Sequence, residues 1–329
     1  MLASPKCRID PWAQQASAPT LGIANNGHPG QNSTKIYNIE LEMKLQMPRA
    51  RIFLLISLAM TAFAGNSLLC RLALKNTGID PASFTTIRLV SGAIILCLII
   101  GLQRKKTSSA GSWLSAFALF SYAAGFSFAY LQLSAAAGAL LLFGAVQATM
   151  LGYGFWVGER LRAWQIAGLV LALAGLLLLL LPGVSAPPLS SSLLMIGAGI
   201  AWGIYSLRGR GTHDATLATS GNFLRATGFA IVLSVLMLSR QSLDNTGIIY
   251  AICSGTLTSG IGYAIWYAAL PALKATTAAT VQLSVPVITA LGGIALLNEA
   301  ISLRIGFASA AILGGIAIVI AQKNNKAST

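Results

Sequence analysis

Residues 166–181 read IAGLVLALAGLLLLLL, sixteen successive positions with no charge, amide or hydroxyl. A helix built from such a run is apolar on every face, so it needs an apolar solvent all round it, which a bilayer supplies. The run is one of a series. From Arg51 to Gln322 the chain is made of apolar stretches of about 20 residues separated by short polar connections, each long enough to cross roughly 30 Å of hydrocarbon as a helix. Helices are required because backbone N–H and C=O groups cannot be left unpaired in lipid. Composition agrees: 55% of residues are hydrophobic, 9% are charged and the mean hydropathy is +0.73, where a soluble domain carries about 25% charged residues. The fold class that follows is an all-α polytopic membrane protein.

The predicted helices cover residues 52–73, 82–102, 113–132, 135–157 and 163–181, then 190–208, 217–238, 246–269, 274–297 and 301–321. That makes about ten transmembrane helices, five on each side of the Pro/Ser-rich segment LPGVSAPPLSSS at residues 181–192. The chain divides into a polar N-terminal extension (1–47), a first five-helix repeat (48–182), a linker (183–189), a second five-helix repeat (190–322) and a short tail (323–329). The extension is rich in Ser, Pro, Asn and Gly and lacks the apolar core of a signal peptide. It reads either as a disordered tail or as sequence upstream of a start at Met43 or Met47.

A net charge of +14 would suggest a nucleic-acid partner in a soluble chain. Here much of the Lys and Arg lies in short connections, where it reports orientation against a bilayer, so no nucleic-acid partner is expected. With the N-terminus in the cytoplasm, one side receives Lys44, Arg49, Arg51, Arg104, Lys105, Lys106, Arg160, Arg162, Arg208, Arg210, Lys274, Lys323 and Lys326, and the other only Arg71, Lys75, Arg240 and Arg304. That asymmetry sets both termini on the cytoplasmic side of the membrane. Cys70, Cys97 and Cys253 fall in apolar segments with no paired or metal-type spacing, so neither a disulfide nor a metal is expected.

Five helices per half is an odd number, so a second copy of the first half must enter the membrane from the opposite face. Such a copy is visible. Glu159 and Glu299 are 140 positions apart, as are Gly175 and Gly315, and Gly168 and Ala308. Arg71 pairs with Arg210 at an offset of 139, which sets Phe63 over Trp202 and Asn66 over Tyr205; Arg88 pairs with Arg225 at 137. The small drift is loop-sized, and the pattern is an internal repeat in inverted topology.

Each half closes with a (G/N)E turn followed by a Gly/Ala/Leu helix, GLVLALAGLLLLL or FASAAILGGIAIVIA. ATTAATVQLSVPVITALGGIALLNE carries Pro286 thirteen residues before Glu299, IAWGIYSLRGRG opens near Trp202, and Arg88 and Arg225 each stand near a helix entry. In these features residues 50–322 resemble the EamA-type branch of the drug/metabolite transporter superfamily. The resemblance implies a ten-helix inner-membrane carrier of small metabolites, often an exporter, with a central cavity framed mainly by helices 1, 3, 4, 6, 8 and 9. Two positions depart from it: Val146 stands where the second half has Pro286, and Phe63 where it has Trp202.

A carrier must replace the water a solute sheds, so polar and aromatic groups near mid-membrane are the substrate-cavity candidates: Asn66, Tyr122, Tyr130, Gln147, Trp202, Tyr205, Tyr263, Gln282 and Ser284. Gln147 and Gln282 lie near helix centres, where an amide needs a partner or a wet cavity. Pro286 is the candidate hinge. Arg88 and Arg225 sit about two turns inside apolar helices, where a cation must snorkel or pair. They read as scaffold, with recognition of an anion as the alternative. Glu159 and Glu299 are expected at the N-terminal ends of the fifth and tenth helices, with a structural role favoured over a coupling-ion site.

All eight Asp and Glu fall in the extension, in loops or at helix ends, so no carboxylate is placed mid-membrane as a proton relay. No phosphate-cradling Walker loop is present, and no cofactor is expected. The leading function is secondary transport of a small metabolite by alternating access, with the lipid bilayer and the substrate as partners and a homodimer left open. The alternatives are a membrane scaffold or receptor and, less favoured, an intramembrane enzyme. The last would need a nucleophile beside a base, and the two histidines, His28 and His213, lie in the extension and a loop.

Overall fold

The computed structural model describes residues 48–103, 110–156, 163–180, 186–209, 214–273 and 281–321. Among them the regular structure is helical, without strands. Six helices are long and apolar enough to cross a membrane: α1 (Arg49–Asn76), α2 (Pro81–Leu102), α4 (Ala135–Trp156), α6 (Leu189–Gly209), α7 (Ala215–Leu236) and α8 (Asn245–Ala269). Shorter apolar stretches lie in α3 (Trp113–Ala129), α5 (Ala163–Leu180), α9 (Ser284–Leu297) and α10 (Leu303–Ala321). Large apolar side chains such as Leu98, Leu177, Val232 and Leu291 face outward while Asn66, Arg88, Gln147, Ser254 and Ser259 are buried. An apolar exterior around a polar interior is the arrangement of a multi-pass membrane protein.

The acids mark where helices begin. Asp80 accepts from the N–H groups of Ala82 and Ser83, both at 2.9 Å, with Pro81 in the first turn of α2 where its missing N–H is not needed. Asp214 caps α7 through Leu217 N–H at 3.0 Å, and Asp244 caps α8 through Gly247 N–H at 2.8 Å. The remaining acid among the described residues, Glu299, lies outside α10, which begins at Leu303. The chain turns at Asn298, whose φ of 50° is left-handed, a conformation Asn tolerates better than most side chains. Glu159 lies outside the described residues, as do the N-terminal extension and residues 322–329.

Helix neighbours follow the repeat. α2 packs on α7, α4 on α9 and α5 on α10; α3 against α6 is matched by α8 against α1, α4 against α6 by α9 against α1, and α3 against α7 by α8 against α2. Exchanging each helix for the one five places along maps this set onto itself. α1 and α6 also run in opposite directions along α3. Arg71, near the end of α1, donates to the carbonyl of Tyr130 at the end of α3 (2.8 Å), whereas Arg208, at the end of α6, donates to Ser115 Oγ at the start of α3 (3.0 Å).

At the α5–α10 crossing the equivalent glycines face the opposite helix. A Cβ on Gly175 would stand 2.8 Å from that of Ala311, and one on Gly315 would meet the backbone of Gly168 and Ala172. Gly199 and Gly203 bring α6 close to Ala145 and Thr149 of α4 in the same way. No described atom lies within 4 Å of a Cβ built on Gly152 or Gly314.

Candidate functional site

The polar centre starts from a close crossing of α2 and α8. A Cβ on Gly255 would overlap Ser91 Oγ and the carbonyl of Arg88, and one on Gly260 would overlap the Ile95 side chain. Both glycines belong to Ser254–Ile261, where α8 widens from α-helical into π-helical turns. Such widened turns free backbone groups and re-aim side chains, and they recur at functional sites. This one presents Ser254, Thr258 and Ser259 to the bundle interior, all buried.

Arg88 is only 1% exposed. Its Nε donates to Ser259 Oγ at 3.3 Å and its Nη2 to Tyr122 Oη at 3.1 Å, while the guanidinium carbon lies 5.2 Å from the Tyr122 ring centroid and 5.1 Å from that of Phe126. Among the described residues Nη1 has no hydrogen-bond partner. The orientation of Asn66 is set by Ser254 Oγ, which donates to its Oδ1 at 2.8 Å, and by its Nδ2, which donates to Tyr122 Oη at 3.1 Å; the hydroxyl of Thr258 donates to the Ser254 carbonyl at 2.7 Å. Tyr122 Oη therefore accepts from both Arg88 and Asn66, and its own hydrogen remains to be donated.

Tyr122 and Asn66 both border a central cavity. Its walls are Phe63, Asn66 and Ser67 of α1, Tyr122 and Phe126 of α3, Leu142 and Phe143 of α4, Trp202 of α6, Thr258 and Tyr263 of α8, and Gln282 just before α9. The cavity is tight, with about 20 Å³ of space for the centre of a water molecule, on the scale of one water. A larger polar vestibule of about 240 Å³ on the same measure lies at the Arg208 end of the bundle, bordered by Ser112, Ser115, Tyr205, Arg208, Thr219, Asn222 and Tyr267.

A layer of rings separates the two. Trp202 stacks on Tyr122, Tyr205 and Tyr263 with centroid distances of 4.8, 5.4 and 5.2 Å. Replacing Trp202 by Ala is expected to join vestibule and cavity. A cysteine placed at Ser67 should then react several-fold faster with a water-soluble thiol reagent than with Trp202 present, and an unchanged rate would show that another group forms the barrier.

The opposite end is tied shut. Arg71 Nε pairs with Glu299 Oε1 at 3.0 Å, with side chains 12% and 11% exposed, and Arg71 Nη1 also donates to the carbonyls of Tyr130 and Leu131. Glu299 Oε2 accepts from Ala135 N–H at 2.7 Å, so the carboxylate caps α4 rather than α10. Lys75 Nζ donates to Leu297 O at 3.3 Å. Ends of α1, α3, α4 and α9 thus meet in one knot.

Two stretches of the chain, residues 50–181 and 189–321, match the model of the EamA-like transporter family. The chain belongs to that family. It is 54% identical over 283 residues to the "Uncharacterized protein PA1977" of Pseudomonas aeruginosa, covering 86% of this chain and 99% of that one. It is 23% identical over 253 residues to the "Uncharacterized transporter YoaV" of Bacillus subtilis, covering 72% and 86%. A solved crystal structure has the same fold at 19% identity and a TM-score of 0.62, covering 86% of this chain and all of that one. The family is one of membrane transporters.

In this EamA-like chain the residues singled out from the sequence fall into different places. Asn66, Tyr122, Trp202, Tyr263 and Gln282 border the central cavity, and Tyr205 borders the vestibule, its hydroxyl 3.4 Å from Thr219 Oγ1. Tyr130 borders neither. It is fully buried in the knot, with its ring against Gly138 and Phe126. Gln147 is 3% exposed and also borders neither cavity; its Nε2 has no hydrogen-bond partner among the described residues. Ser284 Oγ donates to Val281 O at 2.7 Å, a local bond at the helix start. Pro286 stands in the first turn of α9, just after the break at Leu283, where its missing N–H cannot bond the Gln282 carbonyl four residues back.

The two repeat-related arginines also part company. Arg225 Nη1 donates to the carbonyls of Ala110 and Gly221 at 2.8 and 2.9 Å, and its guanidinium lies over Trp113. It fastens α7 to the segment entering α3. Arg88 reaches no carbonyl and stands behind the cavity wall. Sequence reasoning passed over Arg71, Ser254 and Ser259; the run SGTLTSGI, with small and hydroxyl residues packed into an apolar span, was the available signal for the last two.

Proposed function

We propose that this protein is a secondary carrier of a small metabolite that works by alternating access. In this reading ten helices form two five-helix halves of opposite orientation in the cell inner membrane, with both termini and the vestibule on the cytoplasmic side. The observation that carries it is the pairing of ends around one polar cavity: a vestibule stopped by Trp202 on one side and the Arg71–Glu299 knot on the other. A carrier needs such a site, closed by different residues at its two ends. The exchange of helix neighbours between halves supplies the symmetry by which one end opens as the other closes.

The four described acids each bind a helix end or a backbone N–H. This favours facilitated diffusion or exchange over proton coupling through a membrane-buried carboxylate. The test is flux through purified protein in liposomes, across amino acids, nucleosides, organic anions and drugs. Saturable movement of at least one solute is expected; if none moves, a scaffold or receptor becomes the better reading.

A further inference from the structure

We infer that the central cavity selects solutes carrying a carboxylate, with Tyr122 donating to it and Arg88 setting the sign of the site. The inference rests on the carrier reading above. Its starting point is charge balance. A guanidinium that is 1% exposed holds one Nη with no hydrogen-bond partner among the described residues, and a buried cation is stable only if paired or otherwise compensated. The described carboxylates are at helix ends: Asp80, Asp214 and Asp244 cap helices, and Glu299 is paired with Arg71. The polar partners of Arg88 are neutral hydroxyls, those of Ser259 and Tyr122, and its remaining support is the faces of Tyr122 and Phe126. The centre therefore carries positive charge with no carboxylate of the described residues bonded to it, in a setting where fields are weakly screened.

Tyr122 transmits that charge to the cavity. Because its oxygen accepts from Arg88 and Asn66, its hydrogen is the donor at the wall, and two donors on the oxygen make it a stronger one. A carboxylate oxygen is the acceptor such a donor favours, since a bond to a charged partner is roughly twice as strong as one between neutral groups. The remaining walls, Phe63, Phe126, Leu142, Phe143 and Trp202, are apolar; with room for about one water the cavity is closed around this donor, and it must widen, as a carrier's site does on opening, to admit an apolar body attached to that carboxylate. A cationic solute would meet Arg88 without compensation.

The leucine series isolates charge at nearly constant shape: N-acetylleucine (anion), leucine (zwitterion), leucinamide (cation) and N-acetylleucinamide (neutral). Each is measured by stabilisation of detergent-solubilised protein against heat and by uptake into liposomes. The two carboxylates are expected to bind and move at least about tenfold better than the two amides, a step of about 1.4 kcal/mol. Tyr122→Phe should reduce that preference ratio about tenfold while the protein elutes as a folded species. Arg88→Gln should abolish it, and Arg88→Lys, which keeps the charge, should retain part of it. The ratio between solutes does not depend on the fraction of protein folded, so it separates recognition from scaffolding. Preference for the neutral or cationic amide, or an unchanged ratio in Tyr122→Phe, would overturn the inference and leave the carrier reading in place. No uptake of these or of the wider panel would remove both.

Discussion

Gly255→Val is expected to abolish the folded protein. A Cβ at this position already overlaps Ser91 Oγ and the Arg88 carbonyl, and that carbonyl belongs to the backbone of α2 and has nowhere to move. Two methyl groups beyond that Cβ must push α8 off α2, and the same displacement breaks the Arg88–Ser259 contact and loosens the Ser254–Asn66 bond. Overpacking a close helix crossing costs about 3 kcal/mol, and a buried guanidinium left with fewer partners adds to it. Monodisperse protein recovered by size-exclusion chromatography after detergent extraction should fall to near background. Gly197→Ala supplies the contrast, because no described atom lies within 4 Å of a Cβ there, and its yield should match the parent. Normal yield for Gly255→Val would mean that α2 and α8 do not meet as closely as described.

Glu299→Ala is the second large effect, and it acts at the other end of the bundle. The substitution removes the partner of Arg71 and the acceptor for Ala135 N–H in one step. Removing one member of a mostly buried pair costs about 3 kcal/mol, because the remaining charge is stranded. For a chain of this size that corresponds to a fall of roughly 4–6 °C in melting temperature. Arg71→Ala alone should also destabilise, and the double variant should lose less than the two single losses added, since the stranded charge is gone. Simple additivity would show that the pair is not coupled and that the knot is held by the Lys75 and backbone contacts instead.

Much of the architecture is legible in the sequence for a physical reason: lipid demands long apolar helices, and a duplicated unit repeats its turns and glycines at a fixed offset. Gly175 and Gly315 illustrate this, each facing the opposite helix where α5 and α10 cross, Gly175 toward Ala311 and Gly315 toward Gly168 and Ala172. The site was less legible because it depends on which face of a helix points inward. Asn66 and Tyr122 reach the cavity, whereas Gln147, equally deep along its helix, does not. Arg88 and Arg225 look alike in the sequence, yet one finds carbonyls and the other rings and hydroxyls, a difference set by neighbours far along the chain. Glu299 was expected to serve its own helix. It serves α4 because the turn at Asn298 carries it across to the other half.

The most direct test of the two-ended carrier is to lock one end. With the native cysteines replaced, Lys75→Cys and Asn298→Cys place thiols on exposed positions of α1 and the α9 turn, leaving Arg71 and Glu299 in place. A short cleavable bifunctional reagent joining them should stop solute flux in liposomes, and its reduction should restore it. Full flux through protein that remains crosslinked would contradict alternating access around the central cavity.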